Sequence, residues 1–145
     1  MNLGSRGRAA CYREFIINRP DYADTLKLRV YKKAKAMRLD SQSLDNRFKF
    51  NDDFSAVFHA THGMDCDADG FFTSSMFVII LLSEEDLTIA AVSHECLHAA
   101  FAHDRRINRY IGKYEHEHEE RFARYFEWLL IKVLETLKAA GYKVN

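Results

Sequence analysis

Two histidines four residues apart, His94 and His98, stand in the apolar stretch that begins at Leu87, and this pair constrains the chain more than any other feature. On a helix, residues four apart lie on one face, so the two imidazoles can aim their nitrogens at a single point while Glu95 sits one residue round from the first. The spacing predicts a helix over about 85–103 carrying the H-E-x-x-H arrangement of a zinc hydrolase. Zinc accepts neutral imidazole and in catalytic sites keeps one position for a water of lowered pKa, whose proton Glu95 would take. With 7 histidines in 145 residues, the pattern arises by accident in roughly two such chains in a hundred. Two buried histidines without partners would be costly in so apolar a run.

The remaining composition bounds the setting. A length of 145 residues, 48% of them hydrophobic and one of them proline, suits a single folded domain over 1–145, with residues 1–8 frayed. Net charge is zero overall, yet the basic residues crowd into the first fifty positions and the acidic ones follow. Complementarity between the two parts explains this better than nucleic-acid binding, which calls for a net basic domain. Cys11, Cys66 and Cys96 form neither a disulfide framework nor a C-x-x-C pair, which points to a reducing, cytoplasmic setting. No run is long enough for a membrane span, and the N-terminus has no signal-peptide character.

Taken in order, residues 11–17 form a short apolar piece compatible with a helix. Pro20, with Asp21 and Asp24 behind it, suits the first turn of a helix over about 20–38, with Tyr22, Leu26, Val30 and Met37 inward and Lys27, Lys32, Lys33 and Lys35 outward. A polar loop over 40–46 follows. Residues 54–60 and 71–82 read as strands, being β-branched and aromatic between turn residues. The D-x-D-x-D-G run from Asp65 to Gly70 matches half of a calcium loop, but Met76 stands where the bidentate Glu belongs, so a hairpin turn is expected. Ser83-Glu84-Glu85-Asp86 resembles a capping box opening the motif helix. The last helix spans about 115–140 and stops at Gly141. The fold class is therefore α+β, a small sheet packed by the motif helix and further helices.

A third zinc ligand is sought on the last helix. Its apolar positions, Phe122, Phe126, Leu129, Leu130, Val133 and Leu137, define an inward face that reaches back to Glu119 and His118, while Glu120 aligns with Arg124 on the wet side. Glu119 is the first choice, His118 and Glu120 the alternatives. Asp104, six residues after His98, competes, although Phe101 stands where a turn-making Gly would be needed.

The segment Ala91-Val-Ser-His-Glu-Cys-Leu-His-Ala99, with Glu119-Glu-Arg-Phe-Ala-Arg-Tyr-Phe-Glu-Trp-Leu129, resembles the gluzincin type of zinc metallopeptidase, and more narrowly small phage- and prophage-encoded metallopeptidases. The resemblance spans roughly 85–135. It implies a minimal zincin-like fold, zinc on His94, His98 and a Glu of the 119–120 pair, and Glu95 as the catalytic base. Arg124, before Tyr125, departs from the smaller or apolar residue such a pattern carries.

A peptide or protein substrate follows from that chemistry, with Tyr110, Tyr114, His103 and His116 as candidate oxyanion donors and the strand over 76–82 as an edge for an extended peptide. The competing expectation is a zincin fold without turnover, a phage product that sequesters a host protein. Glu95 argues against it, because structural zinc has no use for a proton acceptor.

Overall fold

The computed structural model describes residues 5–7, 11–18, 25–44, 56–66, 68–70, 72–108 and 116–145. Its elements are β1 (Ser5–Gly7), β2 (Tyr12–Asn18), β3 (Thr25–Tyr31), α1 (Ala34–Leu44), β4 (Ala56–Cys66), β5 (Phe72–Ser83), a 3₁₀ turn over Glu84–Asp86, α2 (Ile89–Asn108) and α3 (His116–Ala139). The class is α+β. The strands form one sheet in the order β1-β2-β3-β5-β4, with β3 and β5 parallel and the other neighbours antiparallel.

β5 is the interior strand on which both layers rest. Val78, Ile80 and Leu82 face a core shared with Phe15, Leu26, Leu28 and Val30 and with α2 and α3. Ile79 and Leu81 face the opposite side, where Tyr31, Met37 and Val57 pack with α1. A strand buried on both faces has no reason to alternate polar and apolar residues, and over 76–82 this one reads as a continuous hydrophobic run. The expected edge over 76–82 is therefore not an edge, since β3 and β4 hydrogen-bond to its two sides. Among the described strands the free edge next to α2 belongs to β4.

The helix expected over 20–38 is replaced by β3 and α1, and the piece over 11–17 is β2. Leu26 and Val30, four apart, satisfy a helical face and a strand face equally, because four is also an even number of strand steps. Pairing decides: Leu26, Leu28 and Val30 are buried and the residues between them half-buried, the period of a strand. Pro20, Asp21, Tyr22 and Asp24 lie outside the described residues. Asp40 to Leu44, expected in a loop, close α1 instead. Asp40 and Ser41 are buried there because each is paired: the Tyr31 hydroxyl donates to Asp40 Oδ2 at 2.7 Å, and Ser41 Oγ lies 2.8 Å from His59 Nε2.

The expected β4–β5 hairpin forms, but β4 runs to Cys66 rather than ending near residue 60, so the turn is shorter than expected. Its ladder runs to Cys66 opposite Phe72, so Asp65 is a strand residue opposite Thr73 and the flanks of the acidic run are strands rather than the helices of a calcium loop. Gly70 takes φ +84°, which permits the turn.

Ser83 caps only the 3₁₀ turn, accepting from the Glu85 amide at 3.1 Å. The cap of α2 is Thr88, whose hydroxyl accepts from the Ala91 amide at 3.0 Å. α3 ends as its sequence predicts. Gly141, at φ +90°, donates to Lys138 O and Tyr142 to Leu137 O, the paired bonds of a Schellman motif. The chain then crosses to the start of α2, where Asn145 donates to Leu87 O at 3.0 Å and accepts from the Ile89 amide at 2.8 Å. These bonds make α2 and α3 an antiparallel pair.

Ile80 tests the dominance of the central strand. It is fully buried between Leu28 and Phe58 in register, so Ile80→Ala removes about 2–5 kcal/mol of stability. Ile131→Ala, at an exposed site on α3, changes it by no more than about 0.5 kcal/mol. Urea unfolding of both variants checks the contrast.

Candidate functional site

α2 lies across β4 and β5 with Val92, Cys96, Ala99, Ala100 and His103 buried beneath it. A helix advances about 100° per residue, so the positions two on either side of Cys96 project away from the core. Those positions are His94 and His98, and both are exposed. Their Nε2 atoms stand 3.1 Å apart, with the rings edge to face at 4.8 Å between centroids. The rings converge, as the spacing predicts. Phe58 of β4 stacks on His98 at 5.9 Å and limits the ring's freedom. Nothing in the local sequence marks Phe58, because its contact arises only when the edge strand passes beside the helix.

Glu95 goes the other way and is 5% exposed. Its Oε1 lies 4.0 Å from His94 Nε2. Burial pushes the carboxyl up to about 7, with the nearby His94 opposing the shift. A carboxylate poised near neutrality, one residue from two convergent imidazoles, is suited to accept a proton at physiological pH. Cys96 is not a nucleophile, since it is fully buried and burial pushes its thiol up to about 12.

The histidine pair suits a metal ion. Two ligands at about 2.0–2.1 Å from a tetrahedral zinc lie roughly 3.3 Å apart, close to the observed 3.1 Å. Glu119 is not brought to this pair. The face of α3 that is buried at Tyr125, Leu129, Val133 and Leu137 is only half-buried at Phe122, and one turn earlier Glu119 is exposed. Phe122 meets Phe101, already nearly a turn beyond His98, and the antiparallel course of α3 carries Glu119 further from the histidines. Among the described residues no three of His, Cys, Asp and Glu gather as a metal-holding group.

The other candidates sort by position. Glu120 is exposed and pairs with Arg124 at 3.3 Å, on the wet side as expected. Asp104 is one of the α2 residues whose side chains lie outside the described set, but α2 continues unbroken through it to Asn108. Six residues of helix set it about 9 Å along the axis from His98, so the turn that a ligand there requires is not made. The His118 and His116 side chains, and Tyr110 and Tyr114 entirely, lie outside the described residues. His103 is buried and its Nδ1 hydrogen-bonds the Tyr125 hydroxyl, which ties α2 to α3 inside the core and removes it as an oxyanion donor.

No protein-family model, curated protein or solved structure matches this chain. Among the described residues no helix is long and apolar enough to cross a membrane.

The buried carboxyl makes the metal-free protein pH-sensitive. Below the ordinary value of 4.5, Glu95 is protonated in the folded and unfolded states alike. As pH rises towards 7 the unfolded chain ionises first, so stability falls, and the loss is complete above about 7. Its upper bound is on the order of 3 kcal/mol. Glu95→Gln abolishes this slope and is more stable than the parent at pH 8, a difference that urea unfolding in chelator resolves.

Proposed function

We propose that this chain is a zinc-dependent hydrolase, most simply a metallopeptidase, in which His94 and His98 hold the metal and Glu95 is the general base. The observation that carries the reading is the convergence of the two Nε2 atoms beside a buried carboxyl set near neutrality. Zinc, when bound, would polarise the scissile carbonyl and acidify a water. Glu95 takes the proton of that water and returns it to the leaving amine, a task its position beside His94 and its low exposure favour. Phe58, stacked on the His98 ring, would restrict its rotation when a metal is held there. The free edge of β4 offers backbone groups to which a peptide could add as an extended strand beside the histidines. The class of substrate is therefore a peptide or an unfolded protein segment. Free Cys11 and buried Cys96 suit a reducing cytoplasm.

One observation favours a second reading, a metal-dependent binding protein without turnover. Catalytic zinc is held by three protein ligands, and among the described residues only the two histidines come together.

Four variants separate these readings. His94→Ala and His98→Ala lower zinc affinity by at least about tenfold, measured by competition with a chromogenic chelator. Glu95→Gln keeps the affinity and abolishes cleavage of an unfolded protein substrate, whereas a binding protein shows no cleavage in any variant. Glu119→Ala leaves the affinity unchanged if the exposed position of Glu119 is its working position. A sharp loss in that variant would show instead that Glu119 reaches the metal.

A further inference from the structure

At the end of the sheet where β3 stops and α3 ends, a cavity of about 260 Å³ opens among Tyr12, Arg13, Lys32, Glu84, Gly141 and Tyr142. None of these residues belongs to the histidine site. Arg13 follows the inward face of β2 one step beyond buried Phe15, and Lys32 follows that of β3 one step beyond buried Val30. Two cations thus end this apolar face, Arg13 half-buried and Lys32 exposed at the cavity.

Arg13 is held in place. Its Nη1 donates to Ala140 O at 3.1 Å, and its guanidinium lies 5.2 Å from the Phe15 centroid and 5.7 Å from that of Tyr142. Lys32 is anchored through its backbone, its amide donating to Cys11 O at 3.2 Å. Glu84 lines the same cavity from the 3₁₀ turn, following Ser83 as Lys32 follows Tyr31 in the paired strands. Burial pushes the Tyr142 phenol up, with Arg13 opposing the shift and Glu84 adding to it, so charges of both signs reach the same ring. Among the described residues Lys32 and Glu84 form no ion pair. Gly141 contributes backbone alone, and a side chain there would be strained at φ +90°.

We infer that this cavity binds a small zwitterion of the free amino-acid class, its carboxylate taken by Arg13 and Lys32 and its ammonium by Glu84, with Tyr12 and Tyr142 flanking the side chain. A simple anion meets Glu84 and a simple cation meets Arg13 and Lys32. Only a molecule carrying both charges is complementary to all three. The inference does not depend on zinc at His94 and His98, and zinc-free protein serves to test it.

The probe is L-phenylalanine, titrated into isotopically labelled full-length protein in the presence of chelator. Saturable shifts of the Gly141 and Tyr142 amide signals are expected, with a dissociation constant of about 1 mM or tighter. N-acetyl-L-phenylalanine and L-phenylalanine amide, each lacking one charge, bind at least about tenfold more weakly. Lys32→Ala and Glu84→Gln, both at exposed positions, lower the affinity for the zwitterion to the same degree while leaving the unfolding midpoint unchanged. Absence of a saturable response, shifts confined to residues away from Gly141 and Tyr142, or equal binding of the single-charge analogues overturns the inference. So does an acetylated analogue that binds as well as L-phenylalanine and is indifferent to Glu84→Gln, which would identify a plain carboxylate site.

Discussion

Everything in this molecule rests on β5 being paired on both edges and covered on both faces. A strand in that position satisfies its peptide groups only through β3 on one side and β4 on the other, so register is set for the whole sheet at once. Its side chains feed two cores in alternation, with α2 and α3 on one face and α1 on the other. The helix that bears the histidines follows this strand after one 3₁₀ turn, and Thr88 caps its start. The position of the candidate site is therefore a consequence of strand order.

The site itself turns on one residue of helical rotation. His94 and Glu95 are adjacent in sequence, but about 100° of twist puts the first on the outer face of α2 and the second under it. Burial penalises the ionised carboxylate, and this is what brings Glu95 to neutrality. The same burial makes neighbouring Cys96 inert. A metal ion at the histidines would reverse part of that penalty, because its charge would dominate the local field. With a metal bound, the proton affinity of Glu95 and the metal affinity of the histidines would be coupled through one short distance, the 4.0 Å between His94 Nε2 and Glu95 Oε1.

Polar residues are also placed deliberately on the opposite face. Tyr31 with Asp40, and Ser41 with His59, bury two hydrogen-bonded pairs between α1 and the sheet. Such pairs cost little when both partners are present and much when one is missing. They tie α1 to β3 and β4, although the composition of 40–44 by itself suggests a loop. The His103–Tyr125 pair does the same between α2 and α3.

What the sequence by itself determined are features whose physics is local. The i, i+4 spacing of His94 and His98 converges on any helix, the β-branched and aromatic run before Ser83 prefers an extended backbone, and Gly141 ends a helix because only it adopts φ +90° without strain. Only tertiary structure decided features that need a neighbour. Leu26 and Val30 fit a helix and a strand alike, and the pairing of β3 with β2 and β5 chose between them. Glu119 lies on the apolar side of α3 by periodicity, yet burial requires something to pack against as well as a direction to face, and that cover is gone before its turn is reached. The contact of Phe58 with His98 joins residues forty apart in the chain, and no local pattern encodes which edge strand will pass beside a given helix.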